Sequence, residues 1–135
     1  MLGEQIGELV GKITSQRVLD IEYNLPKIEA TVNASGKMND IDVTSIITYW
    51  NIRRPDGNLY GEGQGVIMTT EGDVITSRAQ GLGKVDRTGV ARWLGSIFYT
   101  SSHTVRLTFL NNLVAVFDTE VDSSGHVREK VWEWK

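Results

Sequence analysis

The amino-acid sequence predicts an all-β fold: residues 1–135 as one domain, a single antiparallel up-and-down β-barrel of eight or nine strands. Three observations carry this reading. Runs rich in Val, Ile, Thr, Tyr, Phe and Trp alternate with short polar breaks, and after residue 20 no helix cap leads into a long amphipathic stretch. Four breaks share one form, two residues and then a glycine: Pro55-Asp56-Gly57, Thr70-Glu71-Gly72, Arg87-Thr88-Gly89 and Ser123-Ser124-Gly125. This is the pattern of a three-residue hairpin loop, a type I turn closed by a left-handed residue that glycine adopts without steric cost. A meander this long removes its unpaired edges by closing on itself.

The first element is the least determined by its residues. Leu2, Ile6, Leu9, Val10 and Ile13 keep helical spacing, but Gly3, Gly7 and Gly11 would each cost a helix about 1 kcal/mol relative to Ala. A strand over about 7–19 is therefore expected. The following strands are placed at about 27–34, 41–54, 58–69, 73–86, 90–101, 104–109, 113–122 and 126–134.

The glycine loops also predict register. They set Arg54 opposite Asn58, Thr69 opposite Asp73, Asp86 opposite Val90, and Asp122 opposite His126. The last hairpin then brings Glu120 opposite Arg128 and Asp118 opposite Lys130, two opposite-charge pairs on one solvent-facing side. The other side carries Phe117, Val121, Val127, Glu129 and Val131 and is expected to face inward. Carried back through the central strands, the register puts Ile47, Tyr49, Gly61, Gly63, Gly65, Ile75, Ala79, Gly81, Gly83, Trp93, Gly95, Ile97 and Tyr99 inside. Glu62, Gln64, Arg78 and Gln80 fall on the outside. A slip of one residue would exchange the two faces.

The segments Leu59-Tyr60-Gly61-Glu62-Gly63-Gln64-Gly65 and Gln80-Gly81-Leu82-Gly83-Lys84-Val85, with Gly89-Val90 soon after, resemble the central hairpins of allene oxide cyclases and plant dirigent proteins. The whole chain also resembles small bacterial and archaeal proteins that end in a Val-Trp-Glu-Trp-like strand. The resemblance implies a lipocalin-like eight-stranded barrel with an apolar cavity, often assembled as a trimer. It covers roughly residues 40–100 and rests mostly on glycines. The family's catalytic glutamate and asparagines have no residue-by-residue match in Gln16–Asn24, so cyclase chemistry does not transfer with the fold.

Composition narrows the chemistry. With no cysteine, disulfides, thiolate metal sites and cysteine nucleophiles are excluded, and His103 and His126 alone make a multi-histidine centre hard to build. Both histidines fall in or beside turns and are read as exposed. A net charge of −3 with scattered Lys and Arg opposes a nucleic-acid surface. Gly61-Glu62-Gly63-Gln64-Gly65 lies within a strand with no helix after it, so it is not a phosphate loop. No basic leader or 18-residue apolar run is present, which makes the cytoplasm the expected location and a membrane span unexpected.

These residues leave three functional expectations. The first is a barrel that binds an apolar or amphipathic small molecule, with Tyr49, Asn51, Trp93, Tyr99, Phe117 and Glu129 as ligand-binding residues and no cofactor. The second is an isomerase or cyclase acting in the same cavity, with Glu129 the one candidate catalytic group because an inward carboxyl is desolvated; the blander placement of an unpaired acid is at the barrel rim, reaching water. The third is a structural homo-oligomer with a solid interior. Trp132 and Trp134 share the outward face with Val114 and Val116, and that face is expected to join copies of the chain unless the N-terminal segment covers it.

Overall fold

The computed structural model describes all 135 residues. It is a closed barrel of eight antiparallel strands in sequence order: β1 (Leu2–Glu22), β2 (Leu25–Met38), β3 (Ile41–Arg53), β4 (Leu59–Met68), β5 (Val74–Val85), β6 (Ala91–His103), β7 (Leu113–Val121) and β8 (His126–Trp134). No helix is long and apolar enough to cross a membrane. β1 pairs with both β2 and β8, and that closure removes the sheet edges along the barrel proper.

All four glycine loops adopt the predicted turn. Gly57, Gly72, Gly89 and Gly125 have φ of 87°, 106°, 85° and 85°, and each N–H donates to the carbonyl three residues back, that of Arg54, Thr69, Asp86 and Asp122 in turn. Arg54, Thr69, Asp86 and Asp122 donate their own N–H groups to Asn58, Asp73, Val90 and His126, the expected closing pairs. The face assignment follows. Glu120 lies opposite Arg128 and Asp118 opposite Lys130, while Thr119–Glu129 and Phe117–Val131 point inward. The outer charges form one pair across another seam: Arg92 holds Asp118 through two hydrogen bonds of 3.1 and 2.7 Å, tying β6 to β7.

Three boundaries differ from the sequence reading. β1 begins at Leu2, because its first residues add to β8, with Leu2 opposite Trp134 and Gln5 opposite Trp132. The N-terminal segment thus lies beside the tryptophans in the sheet and not across them; Trp132 is half-buried and Trp134 is 54% exposed. β2 runs on to Met38 through Ser35-Gly36-Lys37, a triplet that looks like a turn. A Cβ at Gly36 would meet the carbonyl oxygen of Glu8 and sit 2.8 Å from the Leu9 Cα, so this glycine serves close strand approach.

The third difference is the segment expected as a ninth strand over 104–109. It folds into the barrel end as a loop followed by a short 3₁₀ turn, Thr108–Leu110, and Leu107 and Leu110 become fully buried. The alternation of Val105, Leu107 and Phe109 imitates a strand, but the N–H groups of Val105, Arg106 and Leu107 all donate to one oxygen of Asp73, at 2.8, 2.8 and 2.7 Å. Successive N–H groups in a strand point to opposite sides and cannot converge in this way. Thr69 Oγ1 donates to the second Asp73 oxygen at 2.6 Å. Burial alone would raise this carboxyl, but the hydrogen bonds from Thr69 and the three N–H groups outweigh it and hold Asp73 well below the usual carboxylate range.

That plug closes one end. Ile6, Leu9, Met38, Val43, Ile67, Ile75, Ile97, Tyr99, Ala115 and Val131 pack around Leu107 and Leu110 as one apolar core. The opposite end carries the hairpins β3–β4, β5–β6 and β7–β8 and stays open. There β1 and β2 run on as an exposed arm that turns at Tyr23-Asn24, both with positive φ.

Candidate functional site

The interior of the open half is set by the glycine-bearing face of β4, β5 and β6. Aromatic rings lie on these glycines. A Cβ on Gly83 would stand 2.9 Å from the Trp93 indole, and one on Gly95 would stand 2.7 Å from Phe117 Cζ. Glycine leaves room on the inner side of the wall. Much of that room is taken by Trp93 and Phe117, which is why eight strands still enclose only a small void. Tyr49 meets Trp93 edge-on, with ring centroids 6.0 Å apart.

The remaining void is a cavity of about 100 Å³. Apolar side chains from seven strands line it, among them Leu9, Val32, Ile47, Trp93, Ile97 and Phe117. Above it lies a second space of about 360 Å³ at the barrel mouth, bordered by Gln16, Asn51, Leu59, Asp122, Ser123 and Ser124. Tyr49, Trp93 and Val121 belong to both linings, so an aromatic collar separates an apolar chamber from a polar vestibule.

Glu129 is the carboxyl group of the inner chamber. It stands opposite Thr119 on β7 and Leu9 on β1, one inward step above Val131 of the packed end. At 9% exposure it is buried, which overturns its alternative placement as a rim residue reaching water. Burial, with no donor to offset it, pushes its carboxyl up to about 7. Tyr99 lies below; burial and then the Glu129 charge raise its phenol well above the ordinary value.

Four of the residues picked from the sequence therefore line the inner chamber: Tyr49, Trp93, Phe117 and Glu129. Asn51 borders the vestibule, where its side-chain amide donates to the Ile28 carbonyl at 3.4 Å. Tyr99 lies outside both linings; it is 2% exposed and belongs to the core beneath the chamber. Sequence reasoning missed Leu9, Val32 and Thr119. The first two sit on strands joined by the Tyr23-Asn24 turn, which carries no glycine, and Asn24 was the one residue that could have signalled it. His103 and His126 are exposed, and no three His, Asp or Glu side chains gather as a metal site.

No family model and no curated protein matches the chain. Its fold is similar to that of a protein of unknown function from Clostridium acetobutylicum ATCC 824, which is 11% identical, with a TM-score of 0.81 and 98% of each chain covered. It is likewise similar to a conserved protein of unknown function from Rhodopseudomonas palustris, 13% identical with a TM-score of 0.78, covering 98% of this chain and 97% of the other. At these identities the likeness is one of fold alone.

Proposed function

We propose that the protein binds a small apolar or amphipathic molecule in the open half of the barrel. The carrying observation is the pairing of a largely apolar chamber of about 100 Å³, which holds the Glu129 carboxyl, with a polar vestibule that shares its collar. A largely apolar void of this order accepts a compact ring or short chain. A larger ligand would seat its apolar end below Trp93 and Tyr49 and leave a polar end among Asn51, Gln16 and Ser123. The collar residues make Val121→Trp a selective block. Native mass spectrometry of the protein purified from its natural source is expected to find an adduct that Val121→Trp loses. An adduct equally abundant in that variant would place the ligand elsewhere and refute the reading.

A second reading is favoured by Glu129. A general acid–base group works best when its pKa lies near the working pH, and a carboxyl at about 7 meets that condition. This is the isomerase or cyclase alternative, and it rests on the carboxyl in the cavity and not on the family resemblance. Glu129→Gln separates the two: loss of turnover with retained ligand affinity supports the enzyme, and unchanged turnover rejects Glu129 as its catalytic group.

A further inference from the structure

The inner chamber is chemically one-sided. Its lining holds no Lys, Arg or His, and the charged residues in it are Glu129 and Glu62. The Glu62 carboxylate is engaged outside, where Tyr60 Oη donates to it at 2.9 Å. On the strands flanking Glu129, the inward neighbours are Leu9 and Thr119, and Tyr99 lies beneath. The one charged residue bordering the vestibule is Asp122, whose carboxylate accepts from the Ser124 and His126 N–H groups and lies 3.4 Å from His126 Nδ1. A molecule entering this barrel therefore ends against a carboxyl that no cation of the chamber lining neutralises.

We propose that the occupant of the chamber is a compact organic cation, an alkyl- or arylammonium ion, whose ammonium group pairs with Glu129 while its apolar body packs on Trp93, Tyr49 and Phe117. This rests on the ligand-binding reading and names its substrate class. The ammonium supplies the donors that the carboxylate lacks, and the ion pair enters the chamber as a neutral unit. The aromatic collar adds faces that attract a cation. An anionic ligand finds no cation in the chamber lining, and above about pH 7 it meets the Glu129 charge. A neutral apolar ligand fills the space but leaves the carboxyl desolvated and unpaired. Because Glu129 holds its proton until about pH 7, taking up an ammonium ion at pH 6 displaces that proton.

The test uses benzylamine, toluene and benzoate as probes of one shape, titrated calorimetrically into the full chain and into Glu129→Gln. Benzylamine is expected to bind the wild type and to lose ~30-fold or more in affinity in the variant. Toluene binding should be unchanged between the two proteins, and benzoate should not bind. At pH 6 the wild type is expected to release ~0.9 proton per benzylamine, read from the difference in heat between two buffers of unlike ionisation enthalpy. That readout needs no variant. If toluene binds both proteins and benzylamine binds no better to the wild type than to the variant, the cation assignment falls and the ligand-binding reading stands. If no probe binds the wild type, both fall.

Discussion

The most exacting consequence of the structure concerns Glu129 in the empty protein. In the unfolded chain its carboxyl ionises near 4.5, and in the barrel near 7. Below pH 4.5 both states hold the proton and the residue adds no pH dependence. Between those values the folded state keeps a proton that the unfolded state has released, so stability falls as pH rises. Above pH 7 the whole cost is present. The distance from 4.5 to about 7, at ~1.4 kcal/mol per pH unit, makes this ~3 kcal/mol. Glu129→Gln keeps the shape and cannot ionise. It is therefore expected to match the wild type near pH 4.5 and to exceed it by ~3 kcal/mol at pH 8, equivalent to a rise in Tm of ~10 °C. Urea unfolding followed by tryptophan fluorescence at several pH values measures the gap. A gap that stays constant between pH 5 and 8 would refute the reasoning, because it would mean that water reaches the carboxylate and the chamber is wet.

The remaining predictions address the plug, the backbone and the outer face. Asp73→Ala strands the N–H groups of Val105, Arg106 and Leu107 and is expected to cost ~3–5 kcal/mol; Asp73→Asn keeps an acceptor oxygen and should cost ~1–2 kcal/mol. Amide exchange at those three residues should accelerate in the Ala variant, and unchanged protection would show that Asp73 does not hold the plug. Its stabilising charge is intact above its ordinary value of 3.8 and is lost as the pH falls below it. A Cβ at Gly95 meets the Gln80 carbonyl oxygen and comes within 2.7 Å of the Gly81 Cα, so Gly95→Ala should cost ~3 kcal/mol or more. Gly57→Ala meets nothing within 4 Å and should cost only its positive φ, ~1–2 kcal/mol; thermal melts that rank the two the other way would contradict the strand packing. Leu94, Phe98, Val114 and Trp134 are 52%, 54%, 43% and 54% exposed on the outer face, and this patch is expected to join copies of the chain. Sedimentation should then give a species heavier than 15.0 kDa that Phe98→Lys dissociates; a wild-type monomer removes that interface.

What the residues revealed depended on how local their geometry was. The glycine loops fix register by themselves, because a left-handed residue at the end of a type I turn leaves one closing pair. Hence β3 to β6 and the β7–β8 hairpin, with Tyr49, Trp93, Phe117 and Glu129, were readable before any coordinates. The ninth strand was not, because alternation in Val105-Arg106-Leu107 says nothing of an aspartate 32 residues earlier that gathers its N–H groups. The expected strand stops at about residue 34 for a related reason: the role of Gly36 is set by Glu8 and Leu9 across the seam and not by its neighbours in the chain. Tyr99 had the right parity but the wrong height. Direction in or out is written in the period-2 pattern, whereas depth along the barrel depends on which end the plug closes.

The two buried carboxyls show what sets the chamber apart from the rest of the interior. Asp73 and Glu129 are 0% and 9% exposed, so desolvation acts on both. Four donors converge on Asp73 and hold it ionised, which is how a carboxylate serves structure. Glu129 accepts no hydrogen bond from its neighbours Leu9, Thr119 and Tyr99, and it rises to about 7. A chain that solved the problem with four hydrogen bonds at one end of the barrel left it unsolved at the other. Leucine or glutamine at 129 would fill the same place without the cost above neutral pH. Under the proposed function, a ligand that binds only the folded state and pairs with this group recovers the lost stability. An ammonium ligand should therefore raise Tm more at pH 8, where it relieves an unpaired charge, than at pH 5, where it must first displace a proton. Equal shifts at the two pH values would show that the ligand does not touch Glu129.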